Sequence, residues 1–123
     1  MRDQIADEAL RVVGRERHIE LTEYLASRLD DFADFERTGE VETAVCCFRY
    51  LPQAVRALTG AEQDRIQQEL QQRVEKSGKA FFPSTVLHGR RALRVNINSY
   101  LTERRHVDDL VELLVSEGAA LAG

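Results

Sequence analysis

Cysteine is scarce in this chain of 123 residues, and its two cysteines, Cys46 and Cys47, are adjacent. Neighbouring residues on a strand point to opposite faces, so a disulfide between them is not expected. The sequence has no CxxC pair and no histidine close to them, and it therefore predicts no metal site. We interpret both as small apolar side chains in a reducing compartment, which makes a cytoplasmic protein the expectation.

Long apolar runs and nucleotide-binding glycine motifs are also missing. No apolar stretch approaches the roughly 20 residues of a membrane span, and the acidic start MRDQIADEAL lacks the core of a signal peptide. The motifs GxGxxG, GxxxxGK[ST] and GxSxG do not occur, so nothing indicates a dinucleotide site, a P-loop or a hydrolase nucleophile. A net charge of −4 argues against a nucleic-acid partner. We expect neither a membrane nor a nucleic acid among the partners.

Few side chains are candidates for catalysis. Lys79, one of only two lysines, lies at a helix-to-strand junction, where a charged side chain is solvated rather than activated for a Schiff base. His18 and His106 lie on polar helical stretches and are interpreted as surface residues. His88 begins a predicted hairpin turn, His88-Gly89-Arg90, beside an arginine-bearing strand, and it is retained as a candidate for the wall of a site. The sequence predicts no catalytic, cofactor-binding or metal-ligating residue.

The residues that are present fit one soluble domain. Hydrophobic residues make up 43% of the chain and charged residues 31%, which is enough to bury a core. Thr59 and Glu62 indicate a capping box at the start of the second helix, and Gly78 is a natural residue to end it. Gly118 is expected to end the last helix. The predicted helices cover residues of about 3–30, 60–77 and 103–117, and the strands about 32–37, 42–50, 79–87 and 91–98. The fold class is α+β, a small antiparallel sheet of about four strands with helices packed on one face.

The strand over residues 91–98 has an unusual polar side. Its apolar residues Leu93, Val95 and Ile97 alternate with a polar row formed by Arg94, Asn96 and Asn98. A strand at the outside of a domain needs one apolar face, but packing does not require Arg, Asn and Asn on the other. The polar row is therefore a candidate contact surface.

Arg49 is predicted to face the same way as Arg94, provided that Phe48 and Ala44 face the helices. Two guanidinium groups on one sheet face can receive a carboxylate, which they bind bidentately. The alternative is that each arginine pairs with an acid of its own chain or covers the sheet edge. Spacing alone leaves the two readings open.

Several segments carry a family resemblance: DFADFE (31–36), CCFRYLP (46–52) and SGKAFFPSTVLHGRRALRVNINSYLTERRHVDDLVELL (77–114). Shared features are an FR dipeptide on a strand, SG before a strand, a G-x-x-x-L-R turn and strand, and a helix opening near His106. In their order and spacing they resemble the C-terminal small domain of the pyridoxal-phosphate-dependent group II amino-acid decarboxylases. That family includes the aromatic amino-acid, histidine, glutamate and diaminobutyrate decarboxylases.

The resemblance implies the small domain of a fold-type I pyridoxal-phosphate enzyme. In that family the cofactor lysine lies in a large domain that precedes the small one, so this chain would not bind the cofactor or catalyse alone. Arg94 matches the arginine that reaches the substrate carboxylate in glutamate-type members. Arg49 matches the FR arginine, whose role is structural or interfacial, and His88, Asn96 and Asn98 would belong to the interface or the site wall.

Three functions follow as hypotheses. The first is a C-terminal domain or split subunit of a decarboxylase, which helps to close the active site and to bind substrate beside a large domain on the same or a separate chain. The second is a non-catalytic interaction or dimerisation module derived from that domain. The third is an autonomous small-molecule binding domain, which predicts a pocket around Arg94. Self-association is expected, because the surface of this chain that the large domain usually covers would otherwise be exposed.

Overall fold

The computed structural model describes residues 2–39, 41, 44–97, 99 and 101–122, with side chains described from residue 16 onward. In the described residues a helix, two strands, two helices, two strands and a final helix follow one another along the chain. In chain order they are α1 (Arg2–Asp30), β1 (Phe35–Arg37), β2 (Val45–Tyr50), α2 (Gln53–Arg56), α3 (Gly60–Lys76), β3 (Ser84–Leu87), β4 (Arg90–Asn96) and α4 (Arg104–Ala122).

The four strands form one antiparallel sheet in the order β1-β2-β4-β3. The two central strands β2 and β4 are paired so that Cys47 lies opposite Arg94 and Phe48 opposite Leu93. A two-residue turn joins β3 to β4, with positive φ at both His88 (53°) and Gly89 (76°). This is the backbone geometry of a tight hairpin, which glycine adopts at little cost. The predicted α+β class and the hairpin are confirmed.

The core lies between the sheet and the three long helices, which pack on one face of the sheet. The alternation in β2 is visible in its burial, since Cys46, Phe48 and Tyr50 are buried while the residues between them are partly exposed. Burying one leucine or phenylalanine side chain stabilises the fold by about 1.5–3 kcal/mol. Members of the core that have no exposed surface are Leu25, Leu29, Phe48, Leu70, Val74, Leu93, Val111 and Leu114.

The ends of α3 follow the sequence prediction. The Thr59 side chain accepts a hydrogen bond from the N–H of Glu62, whose carboxylate accepts one from the N–H of Thr59. At the other end the helix finishes with Lys76, and Gly78 takes a left-handed conformation with φ 71°. Both signatures are local, which is why the sequence is sufficient to place them.

The third strand is shorter than predicted. The sequence predicts a strand from residue 79, but β3 begins at Ser84 and pairs only with β4. Pro83 has no N–H for a strand hydrogen bond, although its carbonyl still accepts one from the N–H of Arg94 at 3.0 Å. The chain before Pro83 turns Phe82 into the core and leaves Phe81 71% exposed.

The last helix differs from the prediction at both ends. It begins at Arg104, and the N–H of Glu103 donates to Nδ1 of His106 at 2.9 Å. It also continues through Gly118 to Ala122, where residues 119–122 include three alanines and a leucine, all strong helix formers. Gly118 is a packing residue rather than a stop, since a Cβ there would lie 2.7 Å from Cζ of Tyr50.

The remaining differences are smaller. The strand predicted over 32–37 is limited to Phe35–Arg37, and the predicted second and fourth strands are found as Val45–Tyr50 and Arg90–Asn96. Asn98 and residues 42 and 43 lie outside the described residues. The short helix Gln53–Arg56, which the sequence reading did not predict, begins directly after Pro52. In the part of the chain that is described, no helix is long and apolar enough to cross a membrane.

Candidate functional site on the outer face of the sheet

The three long helices pack on one face of the sheet, and we call the other face the outer face. Strand alternation places on it every second residue of β2 and β4, in step with the cross-strand pair Cys47 and Arg94. Its described residues on these central strands are Val45, Cys47, Arg49, Ala92, Arg94 and Asn96.

Arg94 lies near the middle of the outer face, on a central strand, where its side chain is partly buried. Its backbone N–H is committed to the carbonyl of Pro83. Among the residues that the structure describes, no hydrogen bond or ion pair holds its guanidinium group. The outer face therefore carries a positive charge that is positioned by the sheet and has no acid of the described chain to neutralise it.

Cys47 is the cross-strand neighbour of Arg94. Burial raises the pKa of the Cys47 thiol, while the positive charge of Arg94 acts in the opposite direction. Burial also raises the pKa of Cys46, on the other face, to about 11. Neither cysteine forms a disulfide, as the sequence predicts, and the raised pKa keeps each thiol protonated at physiological pH.

Arg49 shares the outer face with Arg94, but its guanidinium is bound within the chain. Its Nε donates to the carbonyl of Arg91 at 3.0 Å, and its Nη2 lies 3.5 Å from the amide oxygen of Gln63 and 3.6 Å from the carboxylate of Asp64. Only 12% of the side chain is exposed. The two arginines therefore do not form a joint carboxylate receptor, and Arg94 is the one available to a ligand.

The other predicted site residues are not all near Arg94. Asn96 is exposed on the same face, across from Val45, and Asn98 lies outside the described residues. His88 is exposed in the β3–β4 turn, at the far end of β4. At about 3.3 Å per residue, Arg90 is about 13 Å along the strand from Arg94. The candidate site is therefore formed by Arg94, Cys47 and Asn96.

Gln67 is a structural feature that the sequence does not predict. Its side-chain oxygen accepts from the N–H of Tyr50 at 2.7 Å, and its Nε2 donates to the carbonyl of the same residue at 2.8 Å. The side chain is fully buried, which is unusual for a glutamine. Gln67 lies three residues before Leu70 and seven before Val74. This spacing places all three residues on the buried face of the helix, and it was the available signal.

A polar contact also joins α1 to α4. One carboxylate oxygen of Asp108 accepts from the hydroxyl of Tyr24 at 2.6 Å and from Nη1 of Arg28. The guanidinium of Arg104 lies 4.7 Å from the centre of the Tyr24 ring, within the range of a cation–π contact. These contacts orient the helices at the side of the molecule away from the outer face.

Two cavities lie elsewhere. A groove of about 780 Å³ is lined by α4, Ile97 and residues 79–81, and a cavity of about 280 Å³ is lined by residues of α1 with Glu103 and Arg104. Arg94 lines neither of them, so the pocket that an autonomous binding domain predicts around Arg94 is not one of these two. No cluster of three or more potential metal ligands occurs in the described part of the chain.

Comparison with known proteins gives no match to a protein-family model. Tryptophan decarboxylase 2 of Oryza sativa subsp. japonica is 32% identical over 107 residues, which cover 87% of this chain and 21% of that protein. Tryptophan decarboxylase 1 of the same organism is 39% identical over 72 residues, or 58% of this chain and 14% of that protein. The chain thus spans about a fifth of the length of the first of these relatives.

Solved structures show the same relationship in the fold. The structure of Oryza sativa TDC with PLP and tryptamine aligns with a TM-score of 0.82 and 26% identity, covering 89% of this chain and 23% of that one. Mouse CSAD aligns with a TM-score of 0.77 at 20% identity, covering 85% and 24%, which supports the fold alone. In sequence and in fold, this chain corresponds to a small domain of the pyridoxal-phosphate-dependent group II amino-acid decarboxylases.

Proposed function

We propose that this chain is the C-terminal small domain of a pyridoxal-phosphate-dependent amino-acid decarboxylase, as part of a longer chain or as a split subunit. Its outer face would form one wall of the active site, against a large domain that holds the cofactor. The observation that carries this proposal is Arg94, a sheet-positioned cation that has no partner among the described residues. Similarity to a fifth of a tryptophan decarboxylase supports it.

The described residues do not fit pyridoxal phosphate by themselves. A cofactor-binding lysine must be desolvated to act as a nucleophile, and an acid or arginine must meet the pyridine nitrogen. Lys76 and Lys79 are both solvent-exposed, at the end of α3 and just beyond it. We therefore assign the cofactor and its chemistry to the large domain.

Arg94 would bind a carboxylate of the substrate or of the closing large domain. A guanidinium group binds carboxylate through two parallel hydrogen bonds, and covering the outer face would strengthen the attraction by excluding water. Cys47 and Asn96 would complete the wall beside it. Because the rice relatives are tryptophan decarboxylases, an aromatic amino acid is the first substrate to test.

The test is CO₂ release by the assembled enzyme. We expect Arg94→Ala to lower kcat/KM by about 10-fold to 100-fold, the loss of one charge-assisted hydrogen-bonded contact, or about 1.5–3 kcal/mol. Arg94→Lys should recover part of the loss, since it keeps the charge without the bidentate geometry. Arg65→Ala, which removes an exposed arginine on helix α3, serves as the matched control and should have little effect.

Two results would contradict the proposal. One is an Arg94→Ala enzyme with unchanged kcat/KM for every amino acid that the parent enzyme decarboxylates. The other is lysine-dependent Schiff-base absorbance when the isolated chain is mixed with pyridoxal phosphate, because the proposal places that lysine in the large domain.

A non-catalytic interaction module is the second candidate. It is favoured by three large apolar side chains that are more than half exposed, Phe81, Val86 and Leu101. Exposed apolar groups of this size often mark contact surfaces. A neighbouring reading frame that encodes the large domain with its cofactor lysine would favour the split enzyme, and its absence would favour the module. Self-association in the cytoplasm, without a metal or nucleic acid, is part of both proposals.

A further inference from the structure

Helix α4 begins with a hydrogen bond to a histidine ring. The backbone N–H of Glu103 donates to Nδ1 of His106 at 2.9 Å. In return, the carbonyl of Glu103 accepts from the backbone N–H of His106 at 3.0 Å and from that of Val107 at 3.3 Å. Because the helix begins at Arg104, Glu103 occupies the N-cap position and His106 is the third helical residue. Reciprocal bonds between these two residues therefore close the first turn.

Helix α3 has the same arrangement with a different acceptor. There the third helical residue is Glu62, whose carboxylate accepts a hydrogen bond from the N–H of Thr59. A carboxylate ordinarily loses its proton well below neutral pH and then remains an acceptor. An imidazole nitrogen is an acceptor only when it carries no proton, and imidazole ordinarily titrates between about pH 5 and pH 8. An imidazole cap is therefore sensitive to pH in a range where a carboxylate cap is not.

Positive charges close to the ring oppose its protonation at the cap. In the first turn of α4, Arg104 and Arg105 precede His106, and no acidic residue accompanies them. Another positive charge at this end of the helix would oppose the helix dipole. The carboxylate of Glu103 is paired with Arg105 at 3.1 Å, and Lys79 lines the same groove as the imidazole. A protonated ring at the cap would therefore be repelled by the Glu103 N–H and by these cations.

Acidic residues lie further along α4. Asp109 follows His106 by three positions, and residues three apart are neighbours on the surface of a helix. Asp109 and Glu112 are exposed and line the same groove as His106. On the α1 side of the turn, Arg17 and Glu20 share a cavity with the start of α4, and their charges are opposite. A protonated ring is thus drawn away from the cap and towards Asp109.

We propose that His106 is a pH-dependent cap, which closes the first turn of α4 when neutral and opens it when protonated. The same turn joins α4 to α1, since Asp108 accepts from the Tyr24 hydroxyl and the Arg104 guanidinium lies over the Tyr24 ring. Opening the turn therefore loosens the contact between the two helices. The inference does not depend on the decarboxylase assignment, so the CO₂ test and the test below can fail separately.

Amide NMR of the 123-residue chain, recorded between about pH 8 and pH 5, tests the proposal. The Glu103 amide proton should move upfield as its hydrogen bond is lost, with the same midpoint as the His106 ring protons. The Val107 amide and the Tyr24 ring should follow with that midpoint, because they report the first turn and its contact with α1. Exchange of the Glu103 amide with solvent, corrected for its intrinsic pH dependence, should become about threefold to tenfold faster, as for the loss of one hydrogen bond.

Three substitutions separate the cap from other effects of pH. His106→Gln keeps an acceptor that does not titrate, since glutamine is a preferred capping-box residue at this position, and its Glu103 amide should stay bonded throughout. In His106→Ala the same amide should be unbonded at every pH. His88→Gln, an exposed histidine in the β3–β4 turn, is the matched control and should leave the Glu103 titration unchanged. Circular dichroism checks that each variant keeps its fold, which we expect because both histidines are exposed.

Three outcomes would overturn the proposal. In the first, the Glu103 amide does not shift together with the His106 ring. In the second, the shift persists in His106→Gln, which would assign it to another titrating group. In the third, the Glu103 amide responds while Val107 and Tyr24 do not, so that the ring rotates without opening the turn.

Discussion

Arg49 and Arg94 are the same residue type on the same face of neighbouring strands, yet their surroundings give them different roles. Asp64, Gln63 and the Arg91 carbonyl surround the Arg49 guanidinium, because α3 begins beside that end of β2. Arg94 lies further along the sheet, where no described acid reaches it. At the scale of one residue, a polar pattern identifies a candidate, and the neighbouring element decides whether its charge remains available.

Gln67 permits a test at this scale. Gln67→Leu removes both hydrogen bonds to the backbone of Tyr50 and leaves a buried N–H and C=O without these partners. We expect a loss of about 1–3 kcal/mol in the free energy of unfolding, the penalty for unsatisfied buried polar groups. Chemical denaturation measures it, and Gln68→Leu, an exposed change on the same helix, is the matched control. Equal stability of the two variants would contradict the structural role of this amide.

At the scale of elements, the close approach of α4 to β2 explains why the last helix continues beyond the predicted end. Glycine at position 118 lets the helix backbone approach the ring of Tyr50, and Leu121 then packs against the core. A glycine near a helix end usually indicates a stop. Here the absence of a side chain serves packing between elements, which the sequence of one helix cannot reveal.

Gly118→Ala should therefore destabilise the protein, although alanine favours a helix intrinsically by about 1 kcal/mol over glycine. The new Cβ would lie 2.7 Å from Cζ and 2.9 Å from Cε1 of Tyr50, so the ring or the helix must move. We expect a net loss of about 1–3 kcal/mol in thermal or chemical unfolding, as for other overpacked sites. In a Tyr50→Leu background the same change should cost less, and an equal cost there would exclude the ring as the cause.

At the scale of the whole molecule, one face of the sheet is covered by helices, and no described helix covers the other. The covered face holds Cys46 in a buried position on central strand β2. The outer face holds Arg94, and the groove by Phe81 lies on the helical side. The two faces of the sheet thus differ, since one packs the core and the other presents the cation on which the proposed function depends.

Burial of Cys46 predicts how the stability of the whole domain depends on pH. Its pKa is about 11 in the folded protein, against 9.0 as the ordinary value, so the unfolded chain loses the thiol proton first. The free energy of unfolding does not depend on this residue's titration below about pH 9, and it falls by about 2–3 kcal/mol as the pH rises to about 11. Denaturation curves across this range measure the slope, and Cys46→Ala should reduce it. A slope that is identical in the variant would assign the effect to other groups, such as Tyr50, whose pKa burial also raises.

The amino-acid sequence determined the features that depend on near neighbours. Thr59, Glu62 and Gly78 define the ends of α3, alternation assigns Phe48 and Arg94 to opposite faces, and the order of motifs identifies the family. Tertiary structure decided the rest. Groups that are distant in sequence decide whether Arg49 is neutralised and whether Gln67 is buried. They also decide whether Gly118 ends its helix or lets that helix approach Tyr50. Folding brings these groups together, and local pattern contains no information about their distances.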